Sequence, residues 1–441
     1  MIQIIGLGLD KRYFETMKKT HRSHQRILIL FLSLAWPLWL QAASAAEKSE
    51  PKLWPDQVKV GGEFRTRVEL RTNEDLNSAV PDNDVFVLLR TRVYLDLNPT
   101  SYVRLFAMFQ DSETLGQNAA SIFKVPDRRK LYQAFLYLKN DAPLVTSLKM
   151  GRQELIYGDE RLIGAFNWSN LGRSFDGAVV RLENAHFWLD LFGTRIHPAG
   201  KENQFAGAYG HWKGFPQGEL EAYALYLHGS KSGLNGGSLS IVTIGSRLKG
   251  KFKKNYDYGF EGAYQTGTSG GSTVSAFAAH VRFGYTFPLG FKPRLGLEYN
   301  FASGDENPGT GKVTTFNNLF PTNHDKYGYM DLFSWKNLHD IRFSFDTQPL
   351  EWFKTKLDYH AFFLPDPANG AFLASGVQWR AGAPGAGHFA GQELDLLFTF
   401  KPWKYFDALV GYSVFFPGTF FSDTGPSDTS HFFYTQFAFR Y

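Results

Sequence analysis

The sequence predicts an all-β protein, a single transmembrane antiparallel β-barrel of about 18 strands with short periplasmic turns and long extracellular loops. At the end of the chain, residues 431–441 alternate bulky aromatic side chains with polar ones, which is typical of a strand between lipid and water. Aromatic residues make up 17% of the chain, yet the mean hydropathy is only −0.27. Past Leu40, no apolar run approaches the roughly 20 residues of a spanning helix, which excludes a helical membrane protein.

The start of the chain has the pattern of a secretory signal. Lys18, Lys19, Arg22 and Arg26 precede an apolar run over residues 27–40, and small residues follow at 42–46. We predict that residues 1–46 are an N-terminal extension with a cleaved signal peptide and that residues 47–441 form the barrel. Residues 1–16 fit a signal peptide poorly, which indicates Met17 as the true start. An uncleaved membrane anchor is the alternative.

The net charge of +5 depends largely on the signal segment. Residues 1–46 hold six basic and two acidic residues, so the remainder carries 41 basic and 40 acidic residues. The sequence therefore predicts no nucleic-acid partner. Cysteine is absent, so the chain uses no disulfide although envelope compartments permit them.

Segments of about ten alternating residues recur along the predicted barrel region. The connections between them alternate between short and long, as in outer-membrane barrels, where turns lie in the periplasm and loops lie outside. Closing the barrel pairs every backbone group within the lipid. The predicted strands are 58–71, 85–97, 103–113, 131–139, 144–157, 175–183, 185–195, 204–213, 219–229, 239–249, 256–266, 274–287, 292–303, 337–347, 351–363, 392–400, 406–416 and 431–441.

Alternation places many basic residues on the lumen face, since a charge facing mid-bilayer lipid costs about 2–4 kcal/mol. Five of them, on three neighbouring strands, form a basic ladder: Arg65, Arg67, Arg90, Arg92 and Arg104. Later strands add Arg181, Arg247, Arg282, Arg294, Arg342, Lys354, Lys356 and Arg440. Two interpretations stay open at this point. The ladder guides an anionic solute, because Arg forks bind carboxylates, or it braces the wall and holds loops. Acidic residues that point inward from the opposite wall, such as Glu393 and Asp395, suggest an electric field across the lumen.

Two segments resemble the alginate export porin family. Residues 151–181 read GRQELIYGDERLIGAFNWSNLGRSFDGAVVR, and residues 320–342 read FPTNHDKYGYMDLFSWKNLHDIR. The resemblance covers essentially the whole mature chain. It implies an 18-stranded outer-membrane barrel with an arginine-lined, anion-selective pore, which in the best-known member lets a polyuronate chain leave the cell. It does not identify the substrate of this chain.

The first segment also has a physical interpretation. Its polar and aromatic loop, which contains Trp168 and Asn170, either folds inward to narrow the pore or packs on the rim as a latch. Arg152 and Arg173 are its better pore candidates. The complete set of predicted pore-lining residues is Arg65, Arg67, Arg90, Arg92, Arg104, Arg152, Arg173, Arg342, Lys354 and Lys356.

The predicted function is an outer-membrane channel for anionic solutes, most of all an acidic, uronate-type polysaccharide or oligosaccharide. The alternatives are a general or small-carboxylate uptake porin, a barrel plugged by its loops, and an enzyme built on Ser344, Asp358 and His360. No catalytic residue, cofactor or metal is predicted, although Asp305, Glu306, Asp325 and Asp331 leave a Ca²⁺ site open.

The expected location is the outer membrane of a Gram-negative-type bacterium. The expected partners are outer-membrane lipid and lipopolysaccharide, an anionic carbohydrate or other anionic solute, the barrel-assembly machinery and, for export, periplasmic proteins.

Overall fold

A computed structural model describes residues 57–80, 82–118, 121–197, 203–216, 218–230 and 236–441. The predicted signal segment therefore lies outside the described residues. The strands are β1 (Val58–Thr72), β2 (Asp84–Thr100), β3 (Val103–Leu115), β4 (Arg128–Lys139), β5 (Val145–Gln153), β6 (Ser174–Glu183), β7 (Phe187–His197), β8 (Asn203–Trp212), β9 (Gly218–Gly229), β10 (Leu239–Phe252), β11 (Tyr256–Ser269), β12 (Ser272–Thr286), β13 (Arg294–Ala302), β14 (Lys312–Val313), β15 (Leu338–Leu350), β16 (Phe353–Phe363), β17 (Ala371–Phe372), β18 (Gln378–Arg380), β19 (Phe389–Trp403), β20 (Phe406–Pro417) and β21 (Ser430–Arg440).

Eighteen of these strands form one closed antiparallel barrel, which confirms the predicted fold. Each barrel strand pairs with its neighbours in the chain, and β1 closes the ring by pairing with β21 over Glu63 to Thr72. The remaining three are short loop strands: β14 adds to β12 in parallel, and β17 pairs with β18. The loops also hold a 3₁₀ turn, Pro367–Asn369, and the helix α1, Thr419–Thr424. No helix among the described residues is long and apolar enough to cross a membrane.

The connections sort by length as predicted. Eight turns of two to seven residues lie at one end of the barrel, and nine loops of two to 35 residues lie at the other. Short turns mark the periplasmic end of such barrels, so the loops are extracellular. The three longest loops are residues 154–173, 303–337 and 364–388.

The two faces of the wall follow the alternation of the sequence. On β1, Val60, Phe64, Val68 and Leu70 point outward and are exposed, whereas Arg65 on the other face is buried. Outward side chains face lipid, so the barrel buries residues only in its lumen.

The apolar core accordingly sits inside the barrel. It joins lumen-facing rings such as Phe175 and Phe205 to apolar residues of the long loops, among them Ile163, Phe320 and Trp335. The long loops thus fill the outer part of the lumen.

One predicted strand, 144–157, is too long, because β5 ends at Gln153. Beyond that residue the chain leaves the wall, and Leu155 and Tyr157 are both buried in the lumenal core. The Tyr157 hydroxyl donates to the Asp190 carboxylate on β7 at 2.9 Å, which holds the chain inside.

Candidate pore constriction

Loop 154–173 folds into the lumen and is held there by buried arginines of β1 and β2. Arg65 donates to the carbonyl oxygens of Asn167 at 2.8 Å and Ser169 at 3.1 Å. Arg90 donates to the same two oxygens, each at 3.0 Å. A loop inside a barrel has no sheet partner for its carbonyls. A guanidinium offers five N–H groups, so it can satisfy several of them at once.

Asn170 fixes the loop to the wall. Its side-chain amide donates to the carbonyl oxygens of Leu89 at 2.9 Å and Glu113 at 3.2 Å. Its own carbonyl accepts from the Ser112 hydroxyl at 2.9 Å. Gly172 follows with φ of +61°, and a Cβ there would lie 2.6 Å from the Tyr132 hydroxyl. The N-L-G stretch of the motif therefore encodes a close approach to the wall that only glycine permits.

Acidic neighbours compensate part of this buried positive charge. The Glu63 carboxylate pairs with Arg90 at 2.6 Å, and Glu69 pairs with both Arg67 at 2.7 Å and Arg71 at 3.1 Å. Buried ions remain charged only when such partners are present.

Loop 303–337 meets loop 154–173 in the middle of the lumen. The Gly164 amide donates to the Phe320 carbonyl at 2.8 Å, and the Phe320 amide donates to the Leu162 carbonyl at 2.9 Å. Arg173 donates to the carbonyls of Phe320 at 2.5 Å and Pro321 at 2.8 Å. The predicted pore candidate Arg173 therefore joins two loops and is satisfied by their backbones.

Charged residues of loop 154–173 also reach the opposite wall. Arg161 pairs with Glu298 of β13 at 2.7 Å, and Asp159 pairs with Arg247 of β10 at 2.6 Å. Burial tends to raise the pKa of the Asp159 carboxyl, but Arg247, Arg282 and Lys249 outweigh it and hold the pKa below its usual range. Loop 154–173 is thus anchored to both walls.

Trp168 lies at the point where the loops and the ladder meet. The Arg67 guanidinium carbon lies 3.7 Å from the centroid of the Trp168 ring. His324 of loop 303–337 stacks on the same indole with centroids 3.6 Å apart and planes at 9°. Tyr434 of β21 contacts it edge-on at 5.0 Å. The indole therefore contacts both the ladder, through Arg67, and loop 303–337, through His324.

Trp168 lines two cavities. One, of about 520 Å³, is also lined by Arg65, Arg90 and Arg92, together with the acids Glu63, Glu160 and Asp325. The other, of about 200 Å³, is also lined by Arg67 and Arg71. Basic residues of β1 and β2 therefore line both of the cavities that border Trp168. A third cavity, of about 720 Å³, lies on the wall from β9 to β16, and its lining also combines basic residues, among them Arg294, Arg342 and Lys356, with acidic ones.

The other predicted pore residues fall into three groups. Arg104 is half-exposed and paired with Asp96 at 2.8 Å. Arg342 is buried against Asp358, which also pairs with Lys356, and Lys354 is exposed. Arg152 differs from the rest, because it pairs with Asp176 at 2.7 Å on the face of β5 opposite Lys149. That face points away from the lumen, so Arg152 is not among the residues that line the proposed anion route.

The residues of the enzyme alternative do not form a triad. The His360 imidazole pairs with Asp340 at 2.8 Å, whereas Asp358 pairs with Arg342. Ser344 lies opposite Asp358 on the neighbouring strand, in register with it.

The four acids considered for Ca²⁺ do not come together either. Asp325 pairs with Lys326 and Asp331 pairs with His324. Among the described residues, one group could hold a metal ion, namely His211, Glu219 and Glu221. Its Glu221 carboxylate already pairs with Arg247 at 2.8 Å.

Sequence reasoning did not identify His324 and Tyr434 as partners of Trp168, or Ser112 as an anchor of loop 154–173. Alternation places Tyr434 and Ser112 on the lumen face, but nothing in the sequence specifies which loop they meet.

The family model described as alginate export matches residues 56–435. Solved structures with the same fold include three proteins of Pseudomonas aeruginosa. OccK11 (OpdR) has a TM-score of 0.58 at 12% identity, covering 87% of this chain and 95% of that one. The outer membrane protein OprD has a TM-score of 0.58 at 11% identity, covering 89% and 96%. OccK2 (OpdF) in complex with glucuronate has a TM-score of 0.58 at 12% identity, covering 87% and 98%. No curated protein sequence matches the chain.

Proposed function

Because the chain belongs to the alginate export family and forms an outer-membrane barrel, we propose that it is a channel for anionic glycans. An acidic, uronate-type polysaccharide or oligosaccharide passes along the arginines of β1 and β2. The observation that carries this proposal is the alignment of Arg65, Arg67, Arg90 and Arg92 with the two cavities that meet at Trp168. Basic side chains along a pore favour anions. Arginine forks also recognise carboxylates in two-point geometry.

The ladder has two roles in this proposal. Its guanidiniums hold loop 154–173 in the lumen, and the same groups line the space through which a carboxylate moves. A uronate that reaches Arg65 or Arg90 competes with the carbonyls of Asn167 and Ser169 for the same donors. Binding of an anion therefore loosens the loop at the point where it obstructs the lumen.

A second candidate is uptake of small carboxylates. It is favoured by the packing of the outer lumen, since the cavity beyond Trp168 has a volume of only about 200 Å³. A barrel of the same fold has been solved with glucuronate bound. In both candidates the chain works as a channel and not as an enzyme.

The test is single-channel recording of the refolded barrel in a planar bilayer under a salt gradient. The proposal predicts a reversal potential of anion-selective sign, and current block by polyuronate that a neutral glucan of equal length does not produce. Block by glucuronate alone, with indifference to the polymer, would support the second candidate. A weakly selective channel that no uronate blocks would contradict both.

A further inference from the structure

A second surface, which combines aromatic rings with cations, lies on the lumen face of β2–β7, toward the periplasmic turns and away from Trp168. We call it the aromatic–cation belt and define it by Tyr94, Phe106, Phe135, Trp188, Arg104, Lys149 and Arg181. Its aromatic rings stack in sequence across strands. The centroids of Tyr94 and Phe106 lie 5.7 Å apart with planes at 26°, and those of Phe106 and Phe135 lie 5.1 Å apart at 21°.

Each of the three cations lies over an aromatic ring of the belt. The Lys149 ammonium is 4.2 Å from the Phe135 centroid, the Arg104 guanidinium carbon is 5.2 Å from that of Phe106, and the Arg181 guanidinium carbon is 4.4 Å from that of Trp188. The strand register places them on the same face as the buried Arg90, so they line the lumen. Such contacts fix the cations over the rings.

The belt contains one cation without a carboxylate partner. Arg104 pairs with Asp96 at 2.8 Å and Arg181 pairs with Asp190 at 2.6 Å. Within the described part of the chain, Lys149 makes no ion pair and no side-chain hydrogen bond. The side chains of Arg104 and Arg181 are 41% and 37% exposed, so this part of the wall is open to the lumen. Lys149 is therefore a half-buried cation without a carboxylate partner, which lies on the buried ring of Phe135 and beside the half-exposed rings of Phe106 and Tyr94.

This combination selects a class of ligand. A pyranose has an apolar ring face that packs on aromatic rings, and a uronate adds a carboxylate that an ammonium binds strongly. An inorganic anion lacks the ring, and a neutral sugar lacks the carboxylate. Neighbouring strands lie about 4.8 Å apart, a spacing comparable to the length of one sugar residue.

We infer that the aromatic–cation belt is a binding site for acidic oligosaccharides at the periplasmic entrance, with Lys149 receiving a carboxylate and Phe106 and Tyr94 supporting the sugar ring. This inference rests on the proposed function and deepens it, since it places a capture site before the arginines of β1 and β2. A chain held on the belt reaches the cavity lined by Arg90 with its carboxylates already oriented.

The test is block of single-channel current by trigalacturonate or maltotriose, added from the periplasmic side of the refolded channel. For Lys149→Gln we expect the dissociation constant of trigalacturonate to rise about tenfold, the effect of losing one charge-assisted hydrogen bond. Weak block by maltotriose should not change. Phe106→Ala should weaken block by both sugars, because it removes the stacking surface.

Two matched variants control for nonspecific effects. Lys404→Gln removes a lysine that also contacts an aromatic ring, Tyr405, but lies in a periplasmic turn. Phe109→Ala removes an outward ring on the same strand as Phe106. Both should behave like the wild type. Unchanged trigalacturonate block in Lys149→Gln and Phe106→Ala would overturn the belt while leaving the proposed function intact. Absence of trigalacturonate block in the wild type would overturn both.

Discussion

Replacement of Trp168 by alanine is expected to raise the single-channel conductance several-fold. The indole is stacked between Arg67 and His324, with centroid distances of 3.7 Å and 3.6 Å, and it joins loops 154–173 and 303–337. Truncation of a packed Trp typically costs about 3 kcal/mol or more. A loss of that size shifts the equilibrium of the two loops strongly from their closed arrangement toward open ones. It also removes a ring that lines both the 520 Å³ cavity and the 200 Å³ cavity.

The measurement is the distribution of single-channel conductances in symmetric salt. Trp352→Ala is the control, because this tryptophan lies in a periplasmic turn and is 45% exposed. His324→Ala should give a smaller increase in conductance, since it removes only one side of the stack. Conductance of Trp168→Ala equal to that of the wild type would place the ion route elsewhere in the barrel.

The second large effect is expected for Arg65→Ala combined with Arg90→Ala. These side chains supply four hydrogen bonds to the carbonyls of Asn167 and Ser169. Hydrogen bonds from charged donors contribute about 1.5–3 kcal/mol each. The double variant should therefore release loop 154–173 and move the reversal potential toward zero, because two lumenal positive charges are lost.

A lysine pair at the same positions separates charge from anchoring. Arg65→Lys with Arg90→Lys keeps both charges but cannot reproduce the forked contacts. It should retain the anion preference while increasing the rate of protease cleavage in loop 154–173. Arg129→Ala removes an exposed charge paired with Asp111 and should change neither property. If the alanine pair kept the reversal potential of the wild type, the ladder would have only its structural role.

The sequence was sufficient to predict the wall because a barrel strand obeys a period of two. That period identified all 18 strands and the inward direction of Arg65, Arg67, Arg90 and Arg92. The exception is Arg152, which was predicted to line the pore because of its place in the motif. The alternation of side chains along β5 was not applied to it. Lys149, on the lumen face of the same strand, was missed although alternation could have found it.

The loops could not be predicted in the same way, because they have no period. The contacts of Asn170 with Leu89 and Glu113 span 81 and 57 residues and depend on how loop 154–173 enters the lumen. The two interpretations of the ladder were also not exclusive. The arginines hold a loop, and they line the cavities on both sides of Trp168.

Single introduced cysteines can test whether anions pass beside the ladder. The chain has no cysteine, so a single introduced thiol reports on one place only. Gln436 lies 3.3 Å from an Arg67 nitrogen and lines the 520 Å³ cavity, whereas Ser344 lines the 720 Å³ cavity on the other wall. The measurement is the rate at which negatively and positively charged thiol reagents of equal size block current through Gln436→Cys and Ser344→Cys.

We expect the negative reagent to block Gln436→Cys much faster than the positive one, and we expect this preference to be smaller for Ser344→Cys. Equal rates for the two reagents at Gln436→Cys, or a faster positive reagent, would contradict an anion route along β1 and β2.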